Sequence, residues 1–183
     1  FELPTTTLIV PAPTYSTMHL PDEAWPDLES YFASESLAIV PLGSTEQHGP
    51  ALPEGTDHLI AEAFAREASE RTGYLRTPPI RIGVSSHHRQ FPGTMWVDPP
   101  AFRDYVASFS RNLGYHGIDR IVYVNAHGGN IQHLREVGRR LRDEDGIYAI
   151  EWMWDESIPD LVEESFEHTG PHGGPKETSL IQH

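Results

Sequence analysis

The segment GSTEQHGPALPEGTDH, Gly43 to His58, sets Glu46, His48, Asp57 and His58 among three glycines and two prolines. Imidazole and carboxylate are the usual ligands of divalent metals. The chain contains no cysteine, so any metal must be held by His, Asp and Glu. Glu46 and His48 are two residues apart, and in extended backbone such residues point the same way while Gln47 faces elsewhere. Pro50 and Pro53 restrict the loop, so less entropy is lost when a ligand set is fixed. Asp57 opens a helical pattern, where the helix dipole favours a carboxylate by about 0.3–1 kcal/mol. Singly, Glu46 and His48 read as loop surface and Asp57 as a helix-start carboxylate. Together, at the end of an apolar run, they point to a metal.

Three other segments carry reactive side chains. In NAHGGN, Asn125 to Asn130, His127 leaves an apolar run and meets two glycines. Gly128 and Gly129 permit close approach of a ligand, and a helix start at Asn130 suits an oxyanion. No lysine follows the glycines, which argues against a phosphate loop. In HTGPHGGPKETS, His172 lies in a Gly/Pro-rich stretch and Glu177 follows near a helix start. In SSHHRQFPGTMW, His87, His88 and Arg89 precede a Phe-Pro-Gly turn; the two histidines read as supports behind the ligands, as substrate contacts or as a surface loop. Ser44 and Ser86 stand outside any G-x-S-x-G turn, so a serine nucleophile is disfavoured.

The elements that must position these groups alternate in type. SLAIVPLG, Ser36 to Gly43, is a short apolar run and predicts a buried strand. A helical face follows over 57–71, then the extended segment LRTPPIRIGV. Residues 98–117 predict a helix, with Asp98 as N-cap, proline in its first turn and Gly114 or Gly117 ending it. In DRIVYVNAHGGN, Ile121 to Val124 predicts a buried strand, NIQHLREVGRRLRDEDG a helix, IYAIEWMW a strand and IPDLVEESFEH a short helix; another begins near KETSLIQH. This alternation predicts an α/β fold, three layers α/β/α around a mostly parallel sheet. Such sheets hold ligands beyond the carboxyl ends of their strands, where Glu46, His48 and His127 fall, with Trp152 and Trp154 after a further strand.

The chain has 183 residues, 38% hydrophobic, enough for one soluble domain, and no apolar run approaches a bilayer span. Residues 1–17 read as a leader or tag-like segment, and 18–183 as a single domain whose C-terminal part is missing. The net charge is −14, which disfavours nucleic acid and anionic membranes as partners. Lys176 is the only lysine among 13 basic residues. That acidic, lysine-poor composition fits a halophilic archaeon, and the lack of cysteine fits a cytoplasmic protein.

In order and spacing, GSTEQHGPALPEGTD, FPGT, NAHGGN and GGPKETS resemble the creatininase (creatinine amidohydrolase) family, over about Ser36 to Ser179. The resemblance implies a creatininase-like α/β fold, homohexamers and two divalent metal ions, zinc, manganese or iron. It implies Glu46, His48, Asp57, His127 and Glu177 as metal ligands. Asp57 would bridge, with Glu46 and His127 completing one site and His48 and Glu177 the other. His172, with Glu177, would serve catalysis by moving protons. His88, Gly128, Gly129, Asn130 and either Trp152 or Trp154 would line a substrate pocket. Creatininase carries a glutamate where this chain has Gly129. The Gly-Gly form resembles an archaeal formylaminopyrimidine-nucleotide deformylase and the mycofactocin peptidase instead. The expected activity is hydrolysis of an amide C–N bond in a small molecule, a formamide or cyclic amide, by a hydroxide that two metals activate. The preferred substrate is a formylaminopyrimidine nucleotide, its phosphate held by Arg89 or the GGN helix start. Creatinine, a mycofactocin-type peptide, or metal binding without catalysis are the alternatives.

Overall fold

A computed structural model describes residues 17–168, 170 and 172–183. The leader expected over 1–17 lies outside these residues except for Thr17.

Four parallel strands form the sheet: β1 (Leu37–Leu42), β2 (Leu75–Arg76), β3 (Arg120–Asn125) and β4 (Tyr148–Met153), in the order β2-β1-β3-β4. Strands buried on both faces need apolar residues throughout, which is why β1 and β3 read as continuous apolar runs. Ala38, Val40 and Leu42 of β1 and Ile121 and Tyr123 of β3 enter one core. Ile39 and Val124 enter the opposite one.

Helix α1 (Trp25–Ser34), α3 (Pro99–Tyr115) and α4 (Ile131–Asp145) cover the first face through Tyr31, Phe102, Val106, Leu134 and Val137. Helix α2 (Thr56–Thr72) covers the second through Ile60 and Ala65, joined by Ile181 of α6 (Pro175–Gln182). A short α5 (Pro159–Ser165) precedes α6. The layers are therefore α/β/α. Each fully buried aliphatic or aromatic side chain contributes about 1.5–3 kcal/mol, so the cores supply the rigidity on which the site stands.

Sequence patterning leaves α1 unassigned. Its anchor is Tyr31, whose hydroxyl donates to the Leu37 carbonyl at 2.7 Å and accepts from the Leu75 amide at 2.8 Å. This couples α1 to two strands through a tertiary contact that no local pattern records. The extended segment LRTPPIRIGV yields only the two residues of β2 and two isolated bridges, His19 to Arg76 and Leu42 to Ile80. Pro78 and Pro79 offer no N–H to a ladder. Asp98 occupies the N-cap position of α3 but its side chain makes no capping bond. Pro99 and Pro100 fill the first two helical positions and lack the N–H that a cap would satisfy at the second.

Strand order positions the chemistry. From β1 the chain crosses through α2 to β2 on one side; from β3 it crosses through α4 to β4 on the other. The loops after β1 and β3 thus diverge and open a crevice at the switch point of the sheet. Leu42 and Asn125, the last residues of the two strands, are paired in register. Glu46 and His127 consequently emerge side by side.

Candidate metal centre

Gly43 leaves β1 at a place where a Cβ would lie 2.3 Å from the His58 amide nitrogen. Only glycine lets the strand end touch the start of α2, and that contact brings Asp57 to the crevice. Asp57 is the second residue of α2, and Gly55 is the N-cap.

Glu46, His48, Asp57, His127 and Glu177 are all buried, none more than 6% exposed. Asp57 Oδ1 lies 2.9 Å from His48 Nε2, and Asp57 Oδ2 lies 3.1 Å from His127 Nδ1. Glu46 Oε1 is 3.3 Å from His127 Nδ1, and Glu177 Oε1 is 3.9 Å from His48 Nε2. Ligand-capable atoms thus gather into two triads that share Asp57: Glu46, Asp57 and His127, and His48, Asp57 and Glu177.

Hydrogen bonding at the outer edge of each ring decides what its inner edge can do. His48 Nδ1 donates to the Glu46 carbonyl at 2.9 Å, and His127 Nε2 donates to the Val84 carbonyl at 3.0 Å. A neutral imidazole has one N–H, so both rings aim a lone pair at carboxylates. Glu46 Oε2 and Asp57 Oδ2 are buried without a hydrogen-bond partner. Lone pairs facing carboxylate oxygens repel unless a cation or an added proton stands between them. This is the polarity of imidazoles that ligate a metal, each oriented by a carbonyl behind it. The donor set, two histidines and three carboxylates, is of the kind that holds divalent metal. Without a cation the rings hold protons. Burial pulls His48 down, but the Asp57 carboxylate outweighs it and raises the group to about 9. Burial likewise opposes, and Asp57 and Glu46 override, at His127, raised to about 10. Burial would raise Asp57, yet the two histidines hold its carboxyl below the ordinary range.

The remaining sequence candidates fall in different places. Gly128 lines the cavity, about 230 Å³, beside Glu46, Asp57, His127, His172 and Glu177. Asp155, Glu156 and Met153 also line it, three residues that sequence reading leaves out. His172 is half-buried, donates Nε2–H to the Gln47 carbonyl, and holds Nδ1 3.8 Å from Glu46 Oε1. His88 holds Nε2 4.0 Å from the same oxygen.

Other expected groups lie outside the lining of this cavity. Gly129 does not face the cavity: a Cβ there would sit 2.3 Å from the Val84 carbonyl and 2.4 Å from His127 Nε2. Asn130 is fully buried and acts as a tie, donating to the Gly43 carbonyl at 3.0 Å and accepting from the Val84 amide at 3.1 Å. Trp154 is buried in the core and stacks on Phe64, with ring centroids 5.9 Å apart; Trp152 packs edge-on against the same ring. Neither indole lines the cavity. Arg89 is exposed and its guanidinium donates to its neighbour's carbonyl at Ser86, while Gly128–Asn130 is a single 3-10 turn. Neither forms a phosphate cradle. Ser44 is buried and donates to Ser85 Oγ at 2.9 Å, which removes it as a nucleophile.

Comparison with known proteins bears on this arrangement. A family model described as "Creatininase: Creatinine amidohydrolase" matches residues 21–183. The mycofactocin precursor peptide peptidase of Mycolicibacterium smegmatis is 35% identical over 153 residues, covering 80% of this chain and 57% of that protein. The 2-amino-5-formylamino-6-ribosylaminopyrimidin-4(3H)-one 5'-monophosphate deformylase of Methanothermus fervidus is 32% identical over 157 residues, covering 79% and 54%. The crystal structure of a creatinine amidohydrolase (creatininase) superimposes with a TM-score of 0.80 at 25% identity, covering 91% of this chain and 71% of that one. The chain spans about half the length of the curated relatives it matches first. With the family model matched from residue 21 to residue 183, the chain belongs to the creatininase family.

Proposed function

We propose that this chain hydrolyses an amide C–N bond of a small molecule, with two divalent ions held by Glu46, His48, Asp57, His127 and Glu177. One observation carries the reading: the two oxygens of Asp57 face different histidines, at 2.9 and 3.1 Å. A single carboxylate between two ligand triads is the arrangement a shared ligand requires. When bound, such a pair polarises a carbonyl oxygen and lowers the pKa of a shared water toward about 7.

The chain's own groups do the rest. Glu46, Asp57 and Glu177 offset three of the four positive charges of two divalent ions, so the buried centre carries little net charge. His172 directs its Nδ1 lone pair toward the cavity, where it can take a proton and return it to a leaving nitrogen, assistance worth about 10²–10⁴-fold. The cavity of about 230 Å³ suits a small group such as a formyl or cyclic amide.

No lysine or arginine lines the cavity among the described residues. A neutral amide is therefore favoured over an anionic one, and a nucleotide substrate would need its phosphate outside this cavity. A peptide is the second reading, favoured by the 35% identity to a peptidase across 80% of this chain.

The experiment is a substrate panel with zinc- or manganese-loaded protein: a formamidopyrimidine nucleotide, creatinine and a short peptide, read as formate, creatine and free amine. Hydrolysis that needs metal and disappears in Asp57→Asn supports the reading. Two bound ions with no turnover on any amide would replace it with metal binding alone.

A further inference from the structure

We propose that Gln47 fixes His88 as a hydrogen-bond donor that holds a carbonyl or carboxylate oxygen of the ligand beside Glu46. The inference rests on the amide-hydrolase reading for the identity of the ligand, but not for the polarity of the ring.

That polarity follows from one backbone group. The Gly49 amide can only donate, and it lies 3.0 Å from Gln47 Oε1. The oxygen of the Gln47 amide is thereby fixed, and its NH₂ is the end that faces His88 Nδ1 at 3.1 Å. His88 Nδ1 must accept, so the ring carries its proton on Nε2. Nε2 is the atom turned toward Glu46, and at 4.0 Å from Oε1 it is beyond hydrogen-bond reach of that oxygen. The donor is available to a ligand.

His172 has the opposite polarity from the same neighbour. Its Nε2–H donates to the Gln47 backbone carbonyl, which leaves Nδ1 as a lone pair. The two rings stack, with centroids 4.6 Å apart and planes 12° apart. One residue, Gln47, thus holds a donor through its side chain and an acceptor through its backbone. Both inward atoms stand about the same distance from Glu46 Oε1, 4.0 and 3.8 Å. An amide presents the complement, an acceptor oxygen and a nitrogen. After hydrolysis the carboxylate product keeps the oxygen that His88 would hold. The ligand class is therefore an acyl or formyl amide, oriented with its oxygen to His88 and its nitrogen to His172. His87 is exposed and stacks beside His127 at 6.0 Å, outside this pair.

Glu46, His87 and His88 also form a group that could hold a further metal ion. The two possibilities separate by experiment. Long-range proton–nitrogen NMR of the zinc-loaded protein, with ¹⁵N-histidine and His88 assigned from His88→Phe, should show His88 with its proton on Nε2. Gln47→Leu should release the ring to a mixture of tautomers. A wild-type ring protonated on Nδ1, or an unchanged ring in Gln47→Leu, overturns the proposal. Formate, titrated into the same zinc-loaded proteins, should bind about 10-fold or more weakly to His88→Phe with zinc content unchanged. Undiminished formate affinity overturns the proposal, and so does loss of zinc, which would make His88 a ligand. If the tautomer and formate results hold while no amide is hydrolysed, the functional reading fails and the donor assignment stands.

Discussion

His48 Nε2 lies 2.9 Å from Asp57 Oδ1, while the other nitrogen of the ring donates to the Glu46 carbonyl. The contact is a hydrogen bond only when the ring carries a second proton. Either a proton or a metal ion therefore occupies the line between these residues, and the same holds between His127 and Asp57. Metal binding should displace protons. With His48 raised to about 9 and His127 to about 10, metal-free protein at pH 7.5 holds both, so loading with zinc should release about two protons per chain from these rings, and about one more where a bound water ionises. Calorimetry in buffers of different ionisation heat measures this. Release near zero at pH 7.5 would contradict the proposed ring polarity. Asp57→Ala should bind neither ion, because one carboxylate serves both triads; a variant that keeps both would refute the shared role.

Stability of the metal-free protein should depend on pH in a stated direction. A histidine raised in the folded state contributes stability that is complete below its unfolded value near 6.5. That contribution is lost as pH rises through the folded values, about 9 for His48 and about 10 for His127. Asp57, lowered, contributes above about pH 4 and loses its contribution as pH falls further. Denaturant midpoints of metal-free protein should fall between pH 7 and pH 10.5, and His127→Asn should flatten the fall. Midpoints that rise over this interval in the unsubstituted protein would contradict it.

Much of this was legible in the sequence because parallel strands buried on both faces spell themselves out. LAIVPL and the IVYV of RIVYVN are continuous apolar runs, and the polar residues that follow each are those of the crevice. The five ligand candidates named from the sequence, Glu46, His48, Asp57, His127 and Glu177, lie in two buried groups that share Asp57. What stayed hidden depends on direction rather than type. Asn130 and Gly129 sit in the same motif as His127, yet one ties three segments together and the other clears space behind the imidazole. Trp154 follows a strand end but turns into the α2 core. Gln47 lies between two ligand candidates and faces away from them, and only the contact to His88 reveals its use. Helix α1 is held by Tyr31 through partners that sequence distance conceals.

The space at Gly129 can be tested directly. A methyl group there would meet the Val84 carbonyl at 2.3 Å, a backbone atom, and His127 Nε2 at 2.4 Å. The hydrogen bond that aims His127 must break or the loop must shift. Gly129→Ala should cost about 1–3 kcal/mol in stability and weaken zinc binding about 10–100-fold by disturbing the group behind a ligand. Gly128→Ala meets nothing within 4 Å and should differ little from the unsubstituted protein. Equal zinc affinity in both variants would mean that the His127–Val84 contact does not orient the ring.

On the proposed reading, His172 moves protons and does not hold metal. Its ring stacks on His48 with centroids 4.3 Å apart, and it belongs to a group with Glu46 and His48 that could also hold an ion. Its partial exposure, 28% at the side chain, sets it apart from the five deeply buried groups and gives it access to an entering molecule. A group that shuttles protons needs such access, whereas a ligand benefits from exclusion of water. His172→Ala should therefore retain two zinc ions per chain while turnover of the best amide in the panel falls about 10²–10⁴-fold. The loss should be smaller for amides whose leaving nitrogen is a weaker base, because these need less protonation on departure. A fall in zinc content would reassign His172 as a ligand, and undiminished turnover with full zinc would remove it from the reaction.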